Sequence, residues 1–86
     1  MGENYEIIVA EEAKKKIKDF DKEFQRRFFN KIEKLKVAPD IYGKPLKYDF
    51  SGLWELRFEK RWRIIFKINE NEKRVEIETV WHKDEF

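Results

Sequence analysis

No cysteine occurs in the sequence. Disulfides and thiolate metal ligation are therefore excluded, and with them a disulfide-framed extracellular scaffold. Glycine and proline are scarce, with three and two residues, and no linker, internal repeat or low-complexity tract is visible. No apolar run approaches the ~20 residues that a membrane span needs. The first residues, Met1-Gly2-Glu3-Asn4, lack the apolar stretch of a signal peptide. Histidine occurs once, as His82. A net charge of +2 is by itself a weak argument for a nucleic-acid partner. These absences predict a soluble cytoplasmic chain with no membrane partner, and no cofactor is expected.

What is present is charge and aromatic surface. Charged residues make up 44% of the chain, with a single glutamine, a composition of the kind thermophiles use. At 86 residues the natural count is one domain, 1–86, with a thin core. Fourteen Phe, Tyr and Trp side chains compensate, because each buries a large area. The cations are unevenly placed. Lys44, Lys47, Arg57, Lys60, Arg61, Arg63 and Lys67 face only Asp49, Glu55 and Glu59 in the same stretch.

That stretch reads as a strand hairpin. Trp54, Leu56 and Phe58 alternate on one face of its first strand, and Trp62, Ile64 and Phe66 on one face of the second. Glu55 and Arg57, then Arg61 and Arg63, fall on the other face. A turn at Glu59-Lys60-Arg61 sets Arg57 directly across from Arg63. Like charges directly opposite destabilise a sheet, so the arrangement points to an anion between them.

Elsewhere, Tyr5-Glu6-Ile7-Ile8-Val9 suits a short strand. A helix follows from Glu11-Glu12, with Ala13, Ile17 and Phe20 on one face. Lys14, Lys15, Lys16 and Lys18 lie mostly outside and read as a solvated face. Asp21 suits the N-cap of a second helix carrying Phe24, Phe28, Ile32 and Leu35 at helical spacing. Phe29 sits beside that stripe, either widening it or touching a partner protein. Tyr42-Gly43-Lys44-Pro45 reads as a turn. Three strands end the chain, roughly Leu53 to Phe58, Trp62 to Ile68 and Arg74 to Trp81. The order β-α-α-β-β-β predicts an α+β fold. In it, an N-terminal helical hairpin packs on one face of a small, mainly antiparallel four-stranded sheet.

The run Gly43-Lys44-Pro45-Leu46-Lys47-Tyr48-Asp49-Phe50-Ser51-Gly52-Leu53-Trp54, then Leu56-Arg57 and Arg63-Ile64-Ile65-Phe66, resembles the RelE/ParE toxin superfamily. Within it, the YoeB- and RelE-like messenger-RNA interferases are most similar. The resemblance implies the RelE-like fold and a toxin of a type II toxin–antitoxin module that cleaves messenger RNA on the ribosome without a metal. It also implies a cognate antitoxin partner and contacts with ribosomal RNA. Arg57, Arg63 and His82 fall on that family's catalytic positions, and Lys47 on a phosphate-reaching lysine. Lys60, Arg61 and Lys83 would position RNA phosphates, and Phe86 would stack on a base. Two positions depart from the pattern. No carboxylate stands in Tyr42-Gly43-Lys44-Pro45, and the chain ends in Phe86 where Tyr is common. ParE-type members share the fold and act on DNA gyrase without hydrolysis, so a gyrase inhibitor is the alternative. A non-toxic binding module of the same fold is the third reading.

The residues support the same chemistry on their own terms. Cleavage by a 2′-hydroxyl needs a base, cations for the phosphorane and an acid for the leaving oxygen. The planar arginine fork suits the cationic task. His82 is the side chain whose ordinary pKa lies nearest neutrality. Counting across the Asn69–Lys73 loop brings His82 beside Arg61 and Arg63, so that Arg57, Arg63 and His82 share one face. Glu55 is either the missing base or an ion-pair partner of Lys67 or of an arginine across the sheet. The ion pair is the commoner arrangement. Trp54, Trp62 and Trp81 read as packing residues.

Overall fold

The computed structural model describes residues 4–85. Strand β1, Glu6–Val9, is built on Ile7, Ile8 and Val9, whose branched side chains suit a pleated surface. Helix α1, Glu11–Lys18, opens with Glu11 and Glu12, where the helix dipole favours acidic side chains. Helix α2, Lys22–Ile32, begins at Asp21, whose carboxylate accepts the Phe24 N–H at 2.8 Å. That bond satisfies one of the helix's orphan donors. The chain then tightens into a 3₁₀ turn, Glu33–Lys36, which carries Leu35 into the core. A short helix α3, Pro39–Tyr42, starts on proline, where a missing N–H costs nothing.

The remaining strands are β2, Lys44–Pro45, β3, Trp54–Phe58, β4, Trp62–Asn69, and β5, Arg74–His82. They form one sheet in the order β1-β5-β4-β3-β2. The β1–β5 pair is parallel and the other three are antiparallel. The α+β class stands as expected, but the sheet has five strands rather than four. Lys44-Pro45, expected as a turn, runs beside Glu55 and Trp54 instead. Proline is tolerated there because β2 is an edge strand.

One face of the sheet carries the helices. Ala13, Ile17, Phe28, Ile32 and Leu35 pack on Leu56, Phe58, Ile64, Phe66, Val75, Ile77 and Val80. Edge-to-face rings hold α2 and the connection before it to the β3–β4 hairpin. Phe24 lies 5.0 Å from Phe58, and Phe20 lies 4.9 Å from Trp62. Such pairs contribute about 0.5–1.5 kcal/mol each beyond buried area. Gly43 passes so close to this core that a Cβ would sit 2.4 Å from Phe66 Cζ. β1 covers only part of β5. Beyond it, the Lys16 ammonium donates to the Val80 carbonyl at 3.2 Å, so this lysine caps a strand edge rather than facing solvent. No helix among the described residues is long and apolar enough to cross a membrane.

The β4–β5 ladder contains a bulge. Ile65 pairs with Thr79, yet Phe66 pairs with Ile77, so Glu78 is the extra residue. Every β5 residue beyond it shifts by one against β4, and a one-residue shift exchanges the faces. That shift decides the composition of the site.

Candidate functional site

The face of the sheet away from the helices carries Glu55 and Arg57 from β3, Arg63, Ile65 and Lys67 from β4, and Thr79 and Trp81 from β5. Arg57 and Arg63 are direct cross-strand partners, as the hairpin pattern predicts. Their surroundings differ. Arg57 is exposed. It lines a hollow of ≈ 210 Å³ with Lys31, Lys34, Tyr42, Lys44 and Glu55. Arg63 is held. Its Nε lies 3.8 Å from Glu55 Oε1, with both side chains less than one-fifth exposed. Its Nη1 donates to the Trp62 carbonyl at 3.1 Å. Glu55 thus occupies the ion-pair role, orienting the guanidinium without cancelling the other cations nearby.

His82 is elsewhere. The expectation that it shares a face with Arg57 and Arg63 is corrected by the bulge. With Glu78 inserted, Trp62 pairs with His82 and Arg63 pairs with Trp81. His82 therefore lies on the helix side of the sheet, its ring 5.0 Å from Trp62 in an edge-on contact. Its Nδ1 accepts the Asp84 N–H at 3.2 Å and lies 3.5 Å from Asp84 Oδ2. Trp81 takes the open-face position, 5.3 Å from Phe50.

The other expected contacts are dispersed. Lys60 and Arg61 are exposed at the hairpin tip. Lys83 is exposed in the 3₁₀ turn Lys83–Glu85, its N–H donating to the Arg61 carbonyl at 2.7 Å. Lys47 is exposed before β3. The next residue, Tyr48, is 91% exposed with φ at +58°, a backbone region that bulky residues rarely occupy. Phe86 lies outside the described residues. Phe29 is half-exposed against Phe28. Lys31 and Lys34, on the far side of the Arg57 hollow, carry no signal in the strand pattern. They arrive because α2 ends beside the β3 edge. Among the described residues no group of His, Cys, Asp and Glu could hold a metal ion.

A basic hairpin face, a helical pair behind it and a mixed sheet with one parallel edge define the fold. Residues 7–85 match the family described as the ParE toxin of the type II toxin–antitoxin system, parDE. The chain belongs to the ParE toxin family. Solved structures of related toxins share the fold of this ParE-family chain. The RelBE2 toxin–antitoxin complex of Mycobacterium tuberculosis aligns with a TM-score of 0.85 at 20% identity, over 92% of this chain and 98% of that one. The archaeal RelE–RelB complex of Pyrococcus horikoshii OT3 gives 0.72 at 19% identity, over 93% and 96%. The YoeB–YefM complex of Staphylococcus aureus gives 0.73 at 15% identity, over 91% and 97%. No curated protein matches the sequence of this ParE-family chain.

Proposed function

We propose that this toxin binds an RNA phosphate between Arg57 and Arg63 and cleaves messenger RNA on the ribosome. The observation that carries the reading is the direct pairing of Arg57 with Arg63 on an open face. Two cations directly across a ladder repel each other, and the carboxylate beside them, Glu55, lies against Arg63, so a further anion suits the pair. Lys31, Lys34 and Lys44 extend the same positive surface, so a polyanion suits the site better than a lone phosphate.

Arg63, already oriented by Glu55 and the Trp62 carbonyl, presents its fork to the phosphate oxygens with little reorganisation. Arg57 closes from the neighbouring strand. As an RNA 2′-oxygen attacks the phosphorus, charge builds on the non-bridging oxygens, and the two guanidiniums stabilise it. Glu55, the carboxylate held beside Arg63, takes the 2′-hydroxyl proton; the P–O5′ bond breaks to leave a 2′,3′-cyclic phosphate, and the departing 5′-oxygen takes its proton from solvent water. His82, on the other face, is left out of the reaction. Several fold relatives were solved as complexes with their antitoxins. We extend to this chain a cognate antitoxin that covers the cationic face.

Induced expression followed by mapping of RNA 5′ ends tests the reading. Cuts within translated codons are expected. Arg63→Ala should lower cutting of ribosome-bound message at least about 100-fold, the scale of losing one preorganised donor. His82→Gln should lower it by less than about tenfold. Intact message in the presence of active ribosomes would overturn the proposal. The second reading, inhibition of DNA gyrase, is favoured by the ParE family match and by the separation of His82 from the arginines. Supercoiling blocked by the purified toxin, with message intact, would establish it.

A further inference from the structure

The loop joining β2 to β3 carries the most exposed aromatic side chain among the described residues. Tyr48 is 91% exposed, and no hydrogen bond, ion pair or ring contact holds its side chain among the described residues. Its backbone sits at φ +58°, where a bulky residue is an outlier and glycine or asparagine is accommodated at little cost. The support beneath the ring is firm. The Leu46 N–H donates to the Leu53 carbonyl at 2.9 Å and closes the loop. Inside it, the Phe50 N–H donates to the Lys47 carbonyl at 3.2 Å, and the Ser51 N–H to the Tyr48 carbonyl at 3.0 Å. Phe50 packs its ring 5.3 Å from Trp81. The loop therefore holds Tyr48 in a strained backbone state, and the ring gains no burial in return. Strain kept at an exposed residue points to a contact with something outside the chain.

We propose that Tyr48 is a stacking platform for an unpaired nucleobase of the RNA strand whose phosphate lies between Arg57 and Arg63. The inference rests on the RNA-binding reading of that pair. The placement follows from Phe50 and Trp81. Trp81 is the cross-strand partner of Arg63, about 5 Å away across the ladder. Tyr48 is two residues from Phe50, no more than ~8 Å along the chain. The loop thus leans over the open face, and Tyr48 lies within reach of a short strand held at Arg63. Its chain neighbours argue for a base rather than a protein. Lys47 and Asp49 are exposed and opposite in charge. They give no apolar surround of the kind that seals water from a protein anchor. A base needs only one open ring face, and stacking accepts any base. The two charges also cancel, so the ring rather than the loop's charge carries the contact. Tyr48 contributes grip and fixes the strand's position, and it does not choose the base.

The test is an NMR titration of the isotope-labelled full chain with inorganic phosphate and with a short single-stranded RNA. The RNA is 2′-O-methylated, so that no hydroxyl is free to attack. Both ligands should shift the Arg63 Nε–H, and only the RNA should move the Tyr48 ring protons. Tyr48→Ala should weaken RNA binding at least about fivefold and leave phosphate binding unchanged, while Tyr48→Phe and Tyr48→Trp keep the parent affinity. The salt slope should stay the same, because the ring neutralises no phosphate. Tyr48→Asn separates recognition from folding. Asparagine tolerates the left-handed backbone, so this variant should lose the same affinity and melt no lower than the parent. Equal RNA affinity of Tyr48→Ala and the parent, with Arg63 still responding, overturns the platform, spares the clamp and leaves the ring to a protein partner. A Tyr48→Asn chain that melts well below the parent shows a packed ring and also overturns the platform. A response at Tyr48 with Arg63 silent overturns the clamp and spares the stacking. Silence at both residues overturns both.

Discussion

Thr79 fits its place least well of the buried residues. Its methyl packs like valine's, while its hydroxyl is taken from water and bonded to nothing. Thr79→Val should therefore stabilise the free protein by about 1 kcal/mol, read as a higher melting temperature. A lower melting temperature would show that the hydroxyl has a partner in the folded state. Gly43 is the converse, a residue fitted so closely that nothing larger enters. A methyl group there meets Phe66 Cζ at 2.4 Å and the Pro39 carbonyl at 3.0 Å. Phe66 is fully buried, and its ring cannot swing aside as a flexible chain would. Gly43→Ala should cost about 1–3 kcal/mol, the range for overpacking a core, measurable by urea unfolding.

Among the elements, the β4–β5 pair matters most, because one inserted residue changes what the open face can do. Without the Glu78 bulge, His82 would stand beside the arginines and Trp81 would lie under the helices. The bulge replaces a proton carrier with an aromatic surface. The same ladder ends in an exposed cluster that ties β1 to the β4–β5 loop. The Tyr5 hydroxyl donates to Glu70 Oε1 at 2.7 Å, and Lys73 Nζ lies 3.4 Å from the same oxygen. The Tyr5 bond holds the Glu70 carboxyl below the usual carboxylate range, and accepting Glu70 pushes the Tyr5 phenol up. A depressed acid contributes stability above its unfolded pKa and loses it as pH falls through the folded value. A raised phenol contributes below its unfolded pKa and loses it as pH rises through the folded value. The cluster therefore contributes across neutral pH and fades at both extremes. Tyr5→Phe should melt below the parent at pH 7, with the gap closing in acid and in strong base. Added salt should shrink the Lys73 share of that gap, because the group is exposed.

For the whole molecule, the decisive property is where the charge lies. A net +2 conceals a face on which Arg57, Lys31, Lys34 and Lys44 converge around one hollow. Single-stranded RNA bound there should follow counterion release, with a slope of log K against log salt of about −0.7 for each phosphate neutralised. Lys44→Ala should make that slope shallower by about 0.7. Lys15→Ala, on the exposed side of α1, should leave it unchanged. Binding titrations across a salt series separate the two. Equal changes for both variants would mean that diffuse charge, rather than this face, carries the binding.

Much of this was readable from local pattern. The alternation in Trp54–Phe58 and Trp62–Phe66 set the hairpin, its apolar face and the Arg57–Arg63 pairing, because strand period and turn length are local properties. Asp21 marked the start of α2 for the same reason. What local pattern missed was decided between elements. Lys44-Pro45 looks like a turn until β3 offers it an edge to run along. Lys31 lies in the last turn of α2 and Lys34 in the 3₁₀ turn after it, and both happen to lie beside that edge. Glu78 carries no bulge signature, so counting along β5 set His82 on the wrong face and buried Trp81. The chain alone determined the family, the fold class and a cationic hairpin. The packed sheet decided which side chains stand around that hairpin. Register across strands is settled by how two surfaces fit, and no single strand contains that information.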